Sequence, residues 1–305
     1  MSSWQAKAFR KGIELSKRRS IFESEQAMDR FMEEVEKRPV YKLAPKYMQK
    51  HNISLFHCNE MDVYVLNQHS VTGKTIIYFH GGAYINQPLI FHWRYLVKLA
   101  RLTGHKIYIP IYPKLPQSNH VDCFRQLDYF YETIIEKLQT SIIFMGDSAG
   151  GGLAMAFAQK LAGTFKRTPD ELILLSAWLD VAGNYENYEQ LEQLDPMIAI
   201  PGAKQLGRKW AEPSHVKNPL VSPIYGPLDG IGHITSIVGT HELLLFDARR
   251  LKERCDEEGI PIHYFEFEEM NHVFPVYPIP EAKKALQIVL DILLQEHAIA
   301  SLTKA

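Results

Sequence analysis

The sequence predicts an α/β fold with a mostly parallel sheet of eight strands, helices on both faces and a helical cap. Short apolar runs alternate with helical stretches through most of the 305 residues. The runs are continuously apolar, which is typical of parallel strands that are buried on both faces. In addition, Gly, Ser, Glu and His residues cluster at the points where several of these runs end.

Composition and charge are those of an ordinary globular protein. The chain is 46% hydrophobic and 23% charged, with a formal net charge of −1, so we expect no nucleic-acid partner. No stretch approaches the ~20 apolar residues of a membrane-spanning helix. The N-terminus also lacks the apolar segment of a secretion signal. We therefore expect a cytoplasmic protein without integral membrane association.

The three cysteines, Cys58, Cys123 and Cys255, are far apart and form neither a CxxC pair nor a cluster with histidines. This spacing predicts no metal site. The odd count and wide spacing fit a reducing compartment. No glycine-rich loop of the dinucleotide- or phosphate-binding type follows a predicted strand, so we expect no cofactor.

Residues 1–40 are predicted to be helical because apolar side chains such as Trp4, Phe9 and Ile13 recur at helical spacing. Six of the first 19 residues are Lys or Arg, and only Glu14 is acidic. The basic face either touches lipid or lies in solvent on a helix packed against the body. We favour the solvated face.

Eight segments are predicted as strands. Two lead-in segments, Ile53–Cys58 and Asp62–Asn67, alternate like an antiparallel pair, and six apolar runs follow. The runs are Thr75–Phe79, Lys106–Ile111, Ser141–Met145, Glu171–Ser176, Ile234–Gly239 and Pro261–Phe267. The accompanying helices are predicted at about 91–103, 119–138, 149–163, 246–258 and 281–298.

The interval between Ser176 and Ile234 contains no clear strand. It includes a Tyr/Asn/Glu-rich run at 184–193 and a helical pattern at 201–211. A structureless loop of this length is improbable in a compact domain. The interval therefore predicts a helical insertion over the C-terminal edge of the sheet.

Ser148 lies in Gly-Asp-Ser-Ala-Gly at 146–150, between the apolar run that ends at Met145 and an alanine-rich helix. A serine on a sharp strand-to-helix turn exposes its hydroxyl above the sheet as a nucleophile. Small neighbours are needed because the turn is strained and other backbone passes close by. The alternative is that Ser148 only caps the helix. The local context favours the nucleophile.

Residues 80–84 read His-Gly-Gly-Ala-Tyr and directly follow the strand that ends at Phe79. Glycines let backbone N–H groups turn toward a ligand. Gly81 or Gly82, Ala83 and, after the serine, Ala149 are therefore candidate donors to a developing oxyanion. The alternative is a tight turn that is glycine-rich without such a role.

His272 follows the last predicted strand, and Glu242 follows the strand before it. Both side chains are expected at the sheet edge that carries Ser148, as a general base and the acid that orients it. Asp247 is the alternative acid. It fits better in the first turn of the next helix, where a carboxylate suits the helix dipole, so we favour Glu242.

Together these motifs resemble the hormone-sensitive-lipase-like group of α/β-hydrolases, and within it small bacterial carboxylesterases. The resemblance spans about residues 60–300, and the chain order of serine, acid and histidine is that of the α/β-hydrolase arrangement. It is carried by HGGAY at 80–84, GDSAGG at 146–151, DPMI at 195–198, NPLVSPIYG at 218–226, GTHELLLFD at 239–247 and MNHVF at 270–274.

The resemblance implies the α/β-hydrolase fold, with a core formed by residues 46–180 and 221–305. The cap is expected to combine an N-terminal helical segment, residues 1–45, with an insertion at 181–220.

The resemblance also implies a catalytic triad of Ser148, Glu242 and His272, with an oxyanion hole formed by the amides named above. Two positions depart from the usual pattern of the group. Ala83 stands in place of a third glycine, and the acid is a glutamate where an aspartate is usual. Glutamate fills this role elsewhere in the fold.

On this resemblance the chain is expected to hydrolyse carboxylic esters with short to medium acyl chains through an acyl-enzyme intermediate. The alternatives are an amidase or formamidase, a peptidase, or a non-catalytic ligand-binding homologue. A small-molecule ester is the expected partner, and a homodimer is one option for assembly. Candidate pocket residues, which alternatively form the core of the cap, are Tyr84, Trp178, Met197, Ile198, Leu206 and Trp210.

Overall fold

The structure of the chain is a computed structural model that describes residues 2–183 and 189–294. Within these ranges eight strands form one sheet, in the order β1-β2-β4-β3-β5-β6-β7-β8. The strands are β1 Ser54–Cys58, β2 Met61–Leu66, β3 Lys74–Phe79, β4 Lys106–Pro110, β5 Ser141–Asp147, β6 Glu171–Leu175, β7 His233–His241 and β8 Ile262–Asn271. β2 is antiparallel to β1 and β4, and the other neighbouring pairs are parallel. The predicted mostly parallel sheet of eight strands is confirmed.

Ten α-helices accompany the sheet in the described residues. They are α1 Trp4–Leu15, α2 Glu25–Glu36, α3 Pro45–His51, α4 Ile90–Thr103, α5 His120–Phe130, α6 Ala149–Gly163, α7 Glu189–Leu194, α8 Ile200–Ala211, α9 Leu245–Glu257 and α10 Pro280–Leu294. The helix predicted at 119–138 ends earlier, because a wider turn over Tyr131–Ile135 follows α5. Positions 295–298 of the last predicted helix lie outside the described residues.

Apolar layers cover both faces of the sheet. Ile77 and Phe79 of β3 pack into one layer with side chains of α5, α6 and α9. Their neighbours Ile76 and Tyr78 pack into the other layer with α4 and α10. Because successive strand residues point to opposite faces, a strand between two apolar layers must be apolar at every position. This is why the runs in the sequence do not alternate.

The N-terminal segment and the insertion lie against each other. The Gly202 amide in α8 donates to the Phe22 carbonyl (2.8 Å), and the Gln205 side chain donates to the Asp29 carboxylate (2.5 Å). The predicted helical content of the insertion is present as α7 and α8, although positions 184–188 lie outside the described residues. The division into core and cap at residues 46, 181 and 221 stays a prediction.

In the parts of the chain that the structure describes, none of the helices is both long and apolar enough to cross a membrane.

The sheet topology collects the candidate side chains at one edge. β5, β6, β7 and β8 are neighbours and parallel, so the chain leaves all four strands at the same edge. Ser148, Ser176, Glu242 and His272 each follow the end of one of these strands. Residues that are up to 124 positions apart in sequence are thereby placed within hydrogen-bonding distance.

Candidate active site

Ser148 lies on a sharp turn between β5 and α6, with φ 51° and ψ −126°. This backbone conformation is uncommon for a residue that carries a Cβ atom. The surrounding backbone holds it in place: the Ser148 amide donates to the Leu175 carbonyl (2.9 Å), and its carbonyl accepts from Trp178 (2.9 Å). The side chain makes no capping hydrogen bond to α6. Helix capping therefore does not account for this serine.

The glycines on both sides of the turn are required by close backbone approaches. A Cβ atom at Gly150 would lie 2.0 Å from the Phe79 carbonyl oxygen. One at Gly146 would lie 2.5 Å from the Gly150 carbonyl oxygen. Both distances are far below van der Waals contact, so larger residues would push the turn away from β3.

A chain of hydrogen bonds connects the serine to a histidine and a glutamate. Glu242 Oε2 lies 2.6 Å from His272 Nδ1, and His272 Nε2 lies 2.9 Å from Ser148 Oγ. A carboxylate only accepts, so Nδ1 carries the proton of the neutral imidazole and Nε2 is the acceptor for the serine hydroxyl. All three residues are buried, and Glu242 is 0% exposed.

The carboxylates around His272 favour its protonated form. Burial lowers the pKa of His272, but the hydrogen bond and charge of Glu242 outweigh burial, with help from the charges of Asp195 and Asp147. The pKa of this imidazole is therefore raised above its ordinary value. A stronger base takes the serine proton more readily, and it also becomes protonated at a higher pH.

Ser176 is a positioning residue that the sequence analysis did not identify. Its hydroxyl donates to Glu242 Oε1 (2.7 Å) and accepts from the Val273 amide (3.0 Å), next to His272. The Gly239 amide also donates to Glu242 Oε1 (2.7 Å). The only signal in the sequence was a polar residue at the end of a predicted strand. Its two contacts come from segments more than sixty residues away.

Asp247, the alternative acid, lies elsewhere in the fold. Its carboxylate accepts hydrogen bonds from the amides of Leu179 (2.8 Å) and Asp180 (3.0 Å), in the segment after β6. Burial, with the charge of the nearby Asp180, raises the pKa of Asp247 to about 8. It sits in the first turn of α9, as expected, where it anchors backbone. The geometry favours Glu242.

The Gly81 amide, a candidate oxyanion donor, is already occupied. It donates to Asp147 Oδ1 (2.9 Å), so the structure removes it from the candidate set. The amides of Gly82, Ala83 and Ala149 have no acceptor among the described residues. Ala83 adopts φ 54°, a value that alanine accommodates at some cost in strain.

Asp147 anchors the glycine-rich loop from below. Its carboxylate accepts from the Tyr78 hydroxyl (2.7 Å) and lies 3.0 Å from His92 Nε2. Burial raises the pKa of Asp147, but His92, Tyr78 and the Gly81 amide outweigh burial and lower it. Burial lowers the pKa of His92, and Asp147 outweighs that effect and raises it. The Leu89 amide donates to His92 Nδ1 (2.9 Å), so His92 is a neutral imidazole that donates through Nε2 to the Asp147 carboxylate. This buried hydrogen bond fixes the loop beside Ser148.

A cavity of about 330 Å³ opens above Ser148 and His272. The candidate pocket residues Met197 and Ile198 line it, together with Gly82 and Ala83. A volume of this order suits a small ligand and falls at the lower end of typical ligand pockets.

The other candidate pocket residues do not line the cavity. Tyr84 stacks on Trp210 with ring centroids 4.1 Å apart, and Trp178 stacks on the same tyrosine at 5.7 Å. All three side chains, with Leu206, are buried in the apolar layer of the fold. The structure thus places these four side chains in the core rather than on the cavity wall, and a contact with substrate stays a prediction. Their sequence positions are equally compatible with either role.

Asp195 connects the cavity wall to the acid. Its Oδ1 accepts from the amides of Met197 (2.7 Å) and Ile198 (3.0 Å). Its Oδ2 accepts from the amide of Leu243 (2.9 Å), directly after Glu242. The DPMI motif therefore holds two lining residues to the segment that carries the acid.

Within the ranges that the structure describes, no group of three or more His, Cys, Asp or Glu side chains is arranged to hold a metal ion.

Comparisons with known proteins consistently identify hydrolases as relatives of this chain. Residues 76–276 match the family described as alpha/beta hydrolase fold. A Mycobacterium tuberculosis protein named triacylglycerol lipase is 30% identical over 195 residues, which are 63% of this chain and 40% of that protein. The match thus spans less than half the length of that lipase.

Two solved structures superpose on nearly the whole chain. A Staphylococcus aureus protein assigned as an esterase is 28% identical with a TM-score of 0.84, and the match covers 92% of this chain and 96% of the other. EstE7, a hormone-sensitive-lipase homologue from a metagenome library, has a TM-score of 0.78 at 21% identity, with 96% and 99% covered. The similarity to EstE7 shows that this chain and EstE7 share a fold.

Proposed function

The chain belongs to the alpha/beta-hydrolase fold family, as an enzyme of the esterase and lipase type, and we propose that it hydrolyses small carboxylic esters with Ser148 as its nucleophile. The observation that carries the proposal is the hydrogen-bonded chain from Ser148 through His272 to Glu242, beneath a cavity of ligand size. Ser148, His272 and Glu242 act as the catalytic triad.

The first step is acylation. His272 Nε2 takes the proton of the Ser148 hydroxyl as Oγ attacks the ester carbonyl carbon. Glu242 keeps the Nδ1 proton in place and stabilises the imidazolium that forms. The tetrahedral intermediate then collapses, His272 gives its proton to the departing alkoxide, and the acyl group remains on Ser148.

The negative charge of the tetrahedral intermediate needs donors that are already in position. The amides of Gly82, Ala83 and Ala149 are available, and Ala149 is the first residue of α6, where the helix dipole adds positive potential. The Asp147–His92 pair and the close-packed glycines hold the loops that carry these donors. The donors are therefore already oriented, and the reaction requires no free energy to reorient them.

The second step is deacylation. A water molecule attacks the acyl carbonyl while His272 takes one of its protons, and that proton returns to Ser148 as the acid is released. Each proton and electron pair moves between side chains, substrate and water, so the mechanism requires no cofactor.

A series of neutral 4-nitrophenyl esters tests the proposal. We expect kcat/KM to be highest for short to medium acyl chains and to fall by about tenfold or more for long chains, because methylene groups beyond the capacity of the small cavity gain no burial and force the ester out of its reactive position. The measurement is nitrophenolate release, with matched 4-nitroanilides as controls. Equal or faster cleavage of the anilides would instead assign an amidase, and absence of ester cleavage would refute the proposal.

The pH dependence provides a second test. Only neutral His272 accepts the serine proton, so kcat/KM should fall as the pH is lowered through the His272 pKa. That pKa is raised, so the midpoint should lie above the ordinary histidine value of about 6.5. The measurement is kcat/KM for a neutral ester in buffers from about pH 5 to 9. A flat profile across that range would contradict the role of His272.

A further inference from the structure

Two arginines line the cavity above Ser148 without an acidic partner. Arg18, after α1, and Arg38, after α2, are both among its lining residues. Neither forms an ion pair within residues 2–183 and 189–294. Guanidinium groups stay charged at any pH at which proteins are stable. Both residues are also exposed to solvent, so two permanent positive charges lie where the cavity wall meets solvent.

Two other arginines of the N-terminal segment, Arg10 and Arg19, have structural partners. Arg19 Nη1 donates to the carbonyls of Glu192 (2.7 Å), Asp195 (2.6 Å) and Ile198 (2.6 Å), and so holds the insertion in place. Arg10 binds the side chain of Glu14 and the carbonyl of Leu194. Arg18 and Arg38 differ from Arg10 and Arg19 because no such contact holds their charges, and they differ from Arg30 because they line the cavity.

The rest of the cavity does not neutralise them. Among the described lining residues Asp147 is the acidic one, and its carboxylate is held by the Tyr78 hydroxyl, the Gly81 amide and His92 rather than by an arginine. Most remaining walls are apolar, including Ile21, Phe22 and Phe91. Burial and the charge of Asp147 raise the pKa of Tyr277, another lining residue, and the charge of Arg18 opposes them. The Arg18 guanidinium therefore acts on the interior of the cavity.

We propose that the substrate is a small ester that carries a carboxylate at the end remote from the scissile bond, bound by Arg18 and Arg38. The inference rests on the proposed ester hydrolysis and specifies its substrate. The reacting groups come from the sheet edge and the arginines come from the N-terminal segment, so the two ends of the ligand are recognised by different parts of the chain. Arginine suits this role because its planar donors match a carboxylate.

The position of Arg38 favours this use. Its guanidinium lies 5.1 Å from the centroid of the Phe31 ring, which also lines the cavity. Stacking on an aromatic face restricts the side chain while leaving its N–H edge free to bind. The cavity volume of about 330 Å³ fits a dissolved half-ester and is small for a phospholipid with two long chains.

The test compares the 4-nitrophenyl half-ester of adipic acid with the diester in which the remote carboxylate is methylated. The two differ in charge and one methyl group. Wild type should prefer the half-ester in kcat/KM, and Arg18→Gln or Arg38→Gln should each lower the half-ester to diester ratio by about tenfold. Raising the salt concentration from about 0.05 to 0.5 M should also lower the ratio, because screening weakens the attraction.

Arg30→Gln is the matched control, since Arg30 is an exposed arginine of α2 that does not line the cavity. This variant should keep the wild-type ratio. Replacement by lysine at positions 18 and 38 should restore part of the preference, which shows that charge, rather than folding, is responsible. Thermal unfolding of each variant verifies that the fold is intact.

The outcomes separate this inference from the proposed function. If wild type cleaves the diester in a Ser148-dependent reaction but shows no preference for the half-ester, the assignment of the arginines is overturned and ester hydrolysis stands. If it cleaves neither ester, ester hydrolysis itself is refuted. A charge preference that appears only with esters dispersed in anionic-lipid vesicles would assign the arginines to a membrane surface and would also overturn the inference.

Discussion

Ser148→Ala is expected to lower kcat/KM for a neutral 4-nitrophenyl ester by about 10⁴-fold or more, because no other group can form the acyl-enzyme. The structure offers no second nucleophile at this position: the Ser148 hydroxyl is the group that lies 2.9 Å from His272 Nε2. Nitrophenolate release measures the loss. An organophosphonate label, located by mass spectrometry, should modify Ser148 in wild type and leave that position unmodified in the variant.

A second buried serine provides the control for Ser148→Ala. Ser222 is buried and hydrogen-bonded to the Val181 amide (2.9 Å) and the Val216 carbonyl (2.6 Å). Its hydrogen bonds do not involve His272 or Glu242. Ser222→Ala should therefore lower the free energy of unfolding by about 1–3 kcal/mol and keep kcat/KM within about threefold of the wild-type value. Substantial hydrolysis by folded Ser148→Ala would remove Ser148 as the nucleophile.

Glu242→Gln should lower kcat by about 10²- to 10⁴-fold with little change in KM. A neutral amide does not stabilise the imidazolium, and its NH₂ group can face Nδ1 and impose the wrong tautomer. Because Glu242 makes the largest contribution that raises the His272 pKa, the pH midpoint of any residual activity should move downward. Steady-state kinetics across pH measures both effects.

Asp247→Asn is the matched comparison for Glu242→Gln. Both carboxylates are completely buried and follow β7, but Asp247 binds the amides of Leu179 and Asp180 rather than His272. We expect this variant to keep kcat within about fivefold and to change mainly the unfolding temperature. A loss of activity in Asp247→Asn together with full activity in Glu242→Gln would reverse the assignment of the acid.

Much of the fold is predictable from local sequence because the core imposes a local rule. A strand covered on both faces must be apolar at nearly every position, and Ile76–Phe79 obeys this rule with four buried apolar residues. The predicted segments agree with the observed strands to within a few residues. The largest difference is at the end of β8, which continues to Asn271 beyond the predicted Phe267.

The pocket was much less predictable. Tyr84, Trp178 and Trp210 are large, apolar and close in sequence to the motifs, and these properties suit a pocket wall and a core equally well. Their stacking against one another in the core follows from how β6, the insertion and the glycine-rich loop pack. Local patterns do not single out Arg18 and Arg38 either, since exposed arginines of helical segments usually lie on a solvated surface. Their place at the cavity follows from how the N-terminal segment packs over the sheet edge.

The sequence by itself determined the mostly parallel sheet and the strand ends that carry Ser148, Glu242 and His272. These properties depend on short-range patterns, namely apolar runs and the glycines that a sharp turn requires. Only the tertiary structure brings Glu242 rather than Asp247 to His272 and gives the Gly81 amide an acceptor in Asp147. It also placed Ser176 against the acid and two arginines over the serine. The physical reason is that hydrogen bonding, burial and charge pairing depend on which distant segments meet, and that is a property of the folded chain.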